Sequence, residues 1–583
     1  MEDTLTLSGW SVIDESGTKQ RTDITIETKG GKGKILEISD VGKRDARFKD
    51  TPIYELSNSQ IVFPGLIDLH THLPYKYMPL LPDVGPTHKR FSERYDWQGF
   101  ITPSTSLKSL DTSRVSKKDE NPETKEDLIE KPAIQSVVKM EKCHAEIKKK
   151  FKPKDLQNYC QVGSLIGGTS TIQDNHRDEN EHLIIRSTGI SEDVFLEKPK
   201  ETHKVISFVR FFSPSIRSLR TVEKNYPETN KDLEWVLENH EKTKTLLLHL
   251  AEGRSSSSLE RREELPNEYI QQEFSAFKKI YLENKDKFAS IKIGLIHCSG
   301  MKGNSDLEFI KKNEIFIVWS PISNLLLYHN TLDIKTLLDK DIPVVLSSDW
   351  TPSGSKHVWD EAKNILDYFE VKTGLKKHEA KVKLYKMLTS EPARLLGQSQ
   401  NLGALKEGCQ ADLFILDIEK EIKEKDHALD LFFEGNDGQT AAIFVGGEIV
   451  FCDSKNFSLL QKDELGGFQQ VFCDDSRRLV KRVNQTKSIL EMNEELNLLL
   501  KKEHFPKTIL GVSNDEAYKE RISQLKENIL TGNPKRSIPS DWEKDRVKSS
   551  SRSHDYKKEK TQLSREKKEA LESRPKATKK MRT

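Results

Sequence analysis

Two imidazoles one residue apart, His70 and His72, close the stretch IVFPGLIDLHTHLPYK at positions 61 to 76. In an extended chain residues i and i+2 point to the same side, so these two rings converge while Thr71 turns away. Three further groups stand in the same kind of place. TLLLHLAEG carries His249, IGLIHCSG carries His297 and IPVVLSSDW carries Asp349, each at the end of an apolar run. A histidine or aspartate buried there needs a partner, and five such groups on four strand ends can supply one another. Imidazole nitrogens with a carboxylate oxygen form a donor set that suits Zn2+ and accepts Fe2+ or Mn2+.

The elements that must position these groups are legible in the apolar pattern. From residue 61 onward, short apolar strands alternate with polar, amphipathic helical stretches: IVFPGLID, GTSTIQD, VISFVRFF, TLLLHLAE, KIGLIHCS, IFIVWSP and IPVVLSSD. Continuous apolar strands joined by helices are what a fully covered parallel sheet requires. The fold class expected is α/β, a (β/α)8 TIM-like barrel, with HLIIRS as the candidate for the eighth strand between 175 and 245. In such a barrel all strand C-termini open on one face, and that face hosts chemistry. Residues 4 to 62 alternate in short pieces around KGGKGK, and ADLFILD and AAIFVGGEIVF return to this texture later, so a small β-sandwich built from both ends of the catalytic region is expected. The expected organisation is 1–62, the N-terminal part of the sandwich; 63–397, the barrel, with a polar insertion at 104–132; 398–454, the returning sandwich strands; 455–532, a helical extension rich in Lys, Glu and Leu; and 533–583, a disordered basic tail.

Composition narrows the classes. The 583 residues are 32% charged and 35% hydrophobic, with a formal net charge of +2. Residues 535–583 hold 17 Lys+Arg against 8 Asp+Glu, so the basic excess belongs to the tail and the body is acidic. Acidic residues are interleaved in that tail, so a solvated segment is expected rather than a nucleic-acid contact. The six cysteines are scattered without a CxxC pair, against a disulfide framework or a cysteine-built metal site. No apolar run approaches the ~20 residues that span a bilayer, and MEDTLTLSGW lacks secretory-signal features. A reduced, cytoplasmic protein with a small-molecule substrate and no membrane partner is the expectation. Homo-oligomerisation is left open.

PGLIDLHTH, HLAE, the His297 strand and the Asp349 strand together resemble the metal-dependent amidohydrolase superfamily, in its cytosine deaminase and triazine hydrolase-like branch. WSPISNLLL, EPARLLG and GALKEGCQADLFILD extend the likeness over about residues 5 to 452. The resemblance implies metal ligands at His70, His72, His249 and Asp349, an acid/base carboxylate at Glu252, an additional active-site histidine at His297 and a residue near the substrate side at Asn324. Two-metal members carry a bridging modified lysine at the end of a middle strand. VISFVRFF ends without one, and Lys204 lies before it, so one divalent ion is expected, zinc first. A bound ion lowers the pKa of water from 15.7 to roughly 7 and supplies hydroxide at neutral pH.

The implied activity is hydrolysis of a non-peptide C–N bond, with deamination of a heteroaromatic amine as the first reading. A cyclic-amide or halide-releasing hydrolase on the same site, or an inactive scaffold used for binding, are the alternatives. In the resemblance Asp349 both ligates and accepts the water proton, Glu252 shuttles that proton, and His297 hydrogen-bonds the attacking oxygen or stabilises the developing oxyanion. Trp350 offers a flat substrate an aromatic face, or its loop an anchor. His88, His144, His176, His182 and His203 lie in polar or helical contexts and are expected to be solvated.

Overall fold

The alternating N-terminal residues form β1 (Thr4–Val12), β2 (Lys19–Glu27), β3 (Ile35–Asp40), β4 (Ile53–Glu55) and β5 (Gln60–Pro64). In this computed structural model the described residues are 3–28, 31–81, 94, 140, 142–174, 185–187, 204–208, 231–241, 243–253, 268–301, 303–453, 456, 459–460, 467–473, 476–482 and 486–502, all within the unit Met1–Leu530. The 104–132 insertion, the tail, and His88, His176, His182 and His203 lie outside them.

Eight strands follow in chain order: β6 (Leu66–Thr71), β7 (Thr169–Asp174), β8 (Arg186–Ser187), β9 (Lys204–Phe208), β10 (Thr243–Leu250), β11 (Lys292–His297), β12 (Phe316–Trp319) and β13 (Val344–Leu346). Every pairing among them is parallel, within one arc β6-β7-β8 and another β9 to β13. A parallel bridge, Thr71↔Asp349, joins the first strand's end to the segment that follows the last strand. Among the described residues no ladder joins β8 to β9. The eighth strand falls on the last two residues of HLIIRS, at Arg186–Ser187. Lys204 opens β9, the strand end opposite to the one where a bridging lysine would have to stand.

These strands read as continuous apolar runs because both faces are covered. Leu246, Leu248 and Leu250 belong to the main core, while Leu247 joins Ile67, Leu69, Phe316, Val318 and Val345 in a separate cluster. Helices supply the outer cover, among them Pro153–Ile166, Glu268–Glu283, Asn304–Lys312, Pro321–Tyr328 and Val358–Thr373.

The chain then returns to the first sheet with β14 (Leu413–Asp417), β15 (Thr440–Val445) and β16 (Glu448–Asp453), followed by β17 (Phe468–Cys473) and β18 (Ser476–Lys481). Where a two-sheet sandwich was expected, ladders link ten strands in one continuous sheet, β17-β18-β16-β15-β14-β5-β1-β2-β3 with β4 on β1. The join is β5 against β14, from Leu413↔Pro64 to Asp417↔Gln60. Alternate residues again separate, with Ile61, Phe63, Phe414 and Leu416 on the main core and Val62, Leu413 and Ile415 in a second cluster.

The expected helical extension at 455–532 is corrected at its start. Residues 468–481 form an antiparallel hairpin, Phe468↔Lys481 to Cys473↔Ser476, and the helix Ile489–Lys502 follows. The Lys- and Glu-rich surroundings mask a short alternation, in which Val471 and Val480 face the main core and Phe468 and Leu479 the second cluster.

Two devices join sheet to barrel. Gly65 is the pivot between β5 and β6, and a Cβ there would lie 2.3 Å from Ser170 Oγ. Asp412, just before β14, is buried and receives Arg186 Nη2 at 2.9 Å and Nε at 3.3 Å, with Gly446 N–H at 2.7 Å. Removing one member of a buried ion pair strands the other, a loss of about 3–5 kcal/mol. Arg186→Met is therefore expected to lower unfolding free energy by about that amount in urea titration. A change below about 1 kcal/mol, the range of a surface pair, would show the pair to be idle.

Candidate active site

The site is built where β6, β10, β11 and the segment after β13 end together. His70 is the penultimate residue of β6, and His72 leads into the 3-10 turn Leu73–Tyr75. The His70 ring centroid lies 4.9 Å from that of His72, 4.5 Å from His249 and 5.4 Å from His297. Asp349 Oδ1 is 2.9 Å from His70 Nε2 and 3.3 Å from His72 Nε2, and Oδ2 is 3.8 Å from His297 Nε2. Thus the five groups singled out in the sequence converge. His72, with its side chain 14% exposed, is the one that reaches solvent.

The backbone is strained where it delivers these groups. Ala251 (φ 49°), His297 (φ 66°), Cys298 (φ 51°) and Asp349 (φ 57°) are non-glycine residues in the left-handed region, a conformation that persists only when surroundings over-determine it. Asp349 N–H donates to His70 C=O at 3.0 Å, Cys298 N–H to Leu250 C=O at 3.0 Å and Ala251 N–H to Glu273 Oε2 at 2.8 Å. Glu273 in turn takes the buried guanidinium of Arg94, whose own N–H donates to Glu252 C=O at 3.1 Å.

Burial sets the protonation states. It pushes the His70 imidazole down to about 4, against the pull of Asp349. His249 is also held well below the usual imidazole range, by burial first and then by the facing rings. Burial alone would raise the Asp349 carboxyl, but His70 and His72 hold it well below the ordinary carboxylate range. At neutral pH the cluster therefore holds neutral His70 and His249 rings and an anionic carboxylate. The ligating atoms of His70, His249 and His297 lie within 4.8 Å of one another, as do those of His70, His72 and Asp349. This donor chemistry fits a single divalent ion of the zinc type.

Glu252 lies beside this cluster. Its Oε1 accepts the Tyr328 hydroxyl at 2.7 Å, and its Oε2 is 3.8 Å from His297 Nε2. His297 Nδ1 pairs with Asn324 Oδ1 at 2.8 Å, and Asn324 Nδ2 donates to Thr331 Oγ1 at 3.4 Å. Asn324 is fully buried, its Oδ1 engaged with His297 and its Nδ2 with Thr331. Trp350 is buried and anchored through Nε1 to Ser353 Oγ, with its ring centroid 6.4 Å from that of His72.

His144 also departs from expectation. It is buried rather than solvated, stacked 4.3 Å from Tyr75 at 14°, and hydrogen-bonded through Nδ1 to the Tyr77 hydroxyl. Tyr75 meets the Trp350 edge at 5.6 Å, so an aromatic group lies next to His72. Sequence reasoning missed this stack, and it missed Tyr328, which follows the apolar run Leu325 to Leu327 and reads as one more packing residue. A second cluster, His357, Asp360 and Asp437, also brings ligand-type atoms together. There His357 Nε2 meets Asp437 at 2.9 Å, Nδ1 accepts Asp360 N–H, and Lys356 and Lys363 lie on the carboxylates. Its charges are already compensated, and it fastens the helix Val358–Thr373 to the turn before β15.

Residues 227–450 match the Amidohydrolase family. The chain is 22% identical over 428 residues to the 5-methylthioadenosine/S-adenosylhomocysteine deaminase of Thermococcus sibiricus, covering 71% of this chain and 85% of that protein. The enzyme of the same name from Pyrococcus horikoshii is 22% identical over 477 residues, covering 79% and 98%. Among solved structures, guanine deaminase from C. acetobutylicum with bound guanine superposes with a TM-score of 0.50 at 17% identity, over 77% of this chain and all of that one. That likeness extends to the TIM-barrel-like α/β fold. The parallel strands, the convergence at their C-terminal ends and the family match point the same way: residues 227–450 match the Amidohydrolase family, and the chain is a hydrolase of carbon–nitrogen bonds other than peptide bonds.

Proposed function

We propose that this protein hydrolytically deaminates a heteroaromatic amine, with adenine-type nucleosides the first substrates to test. The observation that carries this reading is Glu252, a buried carboxylate fixed by Tyr328 and set 3.8 Å from His297 beside the His70, His72, His249 and Asp349 cluster. Support for the substrate class comes from the relatives named as deaminases of methylthioadenosine and S-adenosylhomocysteine.

His70, His72, His249 and Asp349 would hold one divalent ion, zinc before Fe2+ or Mn2+. When bound, such an ion makes hydroxide available at neutral pH. Asp349, anionic and buried, accepts the proton released as water attacks the ring carbon, and that proton passes on to the exocyclic amine, which leaves as ammonia when its C–N bond breaks. Glu252 carries a proton to the adjacent ring nitrogen, which makes that carbon electrophilic; Tyr328 holds one carboxylate oxygen so that the other is aimed at the site. With Nδ1 tied to Asn324 Oδ1, His297 turns Nε2 into the site, where it hydrogen-bonds the attacking oxygen and fixes its direction. Burial of these groups excludes bulk water, so each proton transfer occurs between oriented partners.

Two outcomes check this assignment. The zinc-loaded protein is expected to release ammonia from at least one member of a panel of purine nucleosides, pterins, pyrimidines and triazines, with a matching change in ring absorbance. Ring opening without ammonia would point instead to a cyclic-amide hydrolase. Glu252→Gln is expected to keep its metal and lose about 10^2–10^4 in turnover, whereas His70→Ala should lose metal and turnover together. An empty metal site in Glu252→Gln would show that the two roles are wrongly divided.

A further inference from the structure

Lys76 is a buried lysine that the chemistry above does not use. It follows the turn Leu73–Tyr75 directly after His72, and it is 1% exposed. Its Nζ donates to Ser348 Oγ at 3.0 Å and to the Lys356 carbonyl at 2.8 Å. Ser348 Oγ passes the interaction on, donating to Asp68 Oδ2 at 2.5 Å. The other oxygen, Asp68 Oδ1, accepts the main-chain N–H of His70 at 3.2 Å and that of Ser348 at 3.3 Å. One carboxylate therefore spans the strand end that carries the histidine pair and the segment that carries Asp349. Lys76 lies on its far side, and the carboxylates facing it are Asp68, Asp349 and Glu361.

A buried carboxylate on a strand end is costly unless its charge is answered. Packing alone would accept a methionine at position 76, with similar length and no charge to desolvate. The amine at this place answers the Asp68 carboxyl through Ser348, and its second bond, to the Lys356 carbonyl, holds the end of the loop from Trp350 to Lys356.

We infer that Lys76 is a positioning residue for the metal site: through Ser348 it compensates Asp68, and the Asp68 bridge fixes Asp349 against His70 and His72 at ligating distance. This rests on the reading that those residues hold a divalent ion. Neighbours that orient metal ligands without touching the metal affect affinity by about 10–100-fold when removed.

The test is zinc affinity of the full chain, measured by competition with a chromophoric chelator, together with the melting temperature. Lys76→Met is expected to weaken zinc binding at least ten-fold and to lower the melting temperature. The double variant Asp68→Asn with Lys76→Met leaves no uncompensated charge, and it should regain most of both. Zinc binding by Lys76→Met equal to wild type would overturn the inference. So would a double variant as weak as the single one, since Lys76 would then act by packing alone. Should Lys76→Met fail to fold, the double variant still decides, a folded zinc-binding protein supporting the inference and an unfolded one overturning it. Wild-type protein that takes up no zinc would instead overturn the metal reading itself.

Discussion

The site depends on one joint, the parallel bridge between Thr71 and Asp349. It ties the first parallel strand to the segment after the last, residues 278 positions apart. Asp349 arrives there with φ at 57°, its N–H on the His70 carbonyl and its carboxylate 2.9 Å from the His70 ring. Without that joint the histidine pair would stand at an unpaired strand edge, and no carboxylate would complete the set. Much of the surrounding structure keeps the joint in register. Gly65 lets β6 leave the ten-stranded sheet, and Arg186 with Asp412 anchors that sheet to the third parallel strand.

A division of labour follows from burial. Desolvation keeps the His70 and His249 rings neutral, which leaves their lone pairs available, and the facing histidines hold the Asp349 carboxyl anionic. Groups one layer back orient them through hydrogen bonds: Asn324 for His297, Tyr328 for Glu252, Glu273 for the Ala251 backbone, Asp68 for the His70 and Ser348 backbone. The left-handed residues at the ends of β10 and β11 and in the segment after β13 are where local conformational preference is overruled by this second layer. Conflict between local and global preference is expected where function is built.

The cluster of histidines and Asp349 was legible because it is written in strand-end chemistry. HxH, HLAE, the His297 strand and the Asp349 strand each close an apolar run, and alternation along a strand fixes which side chains converge. The supporting layer was not legible. Tyr328 ends a helix among four buried apolar residues, Ile322 and Leu325 to Leu327, Asn324 is separated from His297 by 27 positions, and Lys76 looks like a solvated turn lysine until its burial is known. The hairpin at 468–481 was hidden for a different reason. Its apolar residues are divided between two clusters, so neither face shows a sustained period. His144 was misread because a lone histidine in a Lys-rich helix gives no sign of the tyrosines that stack on it.

The central claim, that His70, His72, His249 and Asp349 hold one divalent ion, is tested most directly by X-ray absorption at the zinc edge of the loaded protein. The account predicts a shell of nitrogen and oxygen at about 2.0–2.2 Å with imidazole scattering and no sulfur. A sulfur shell, or a second metal at about 3.5–4 Å, would contradict it.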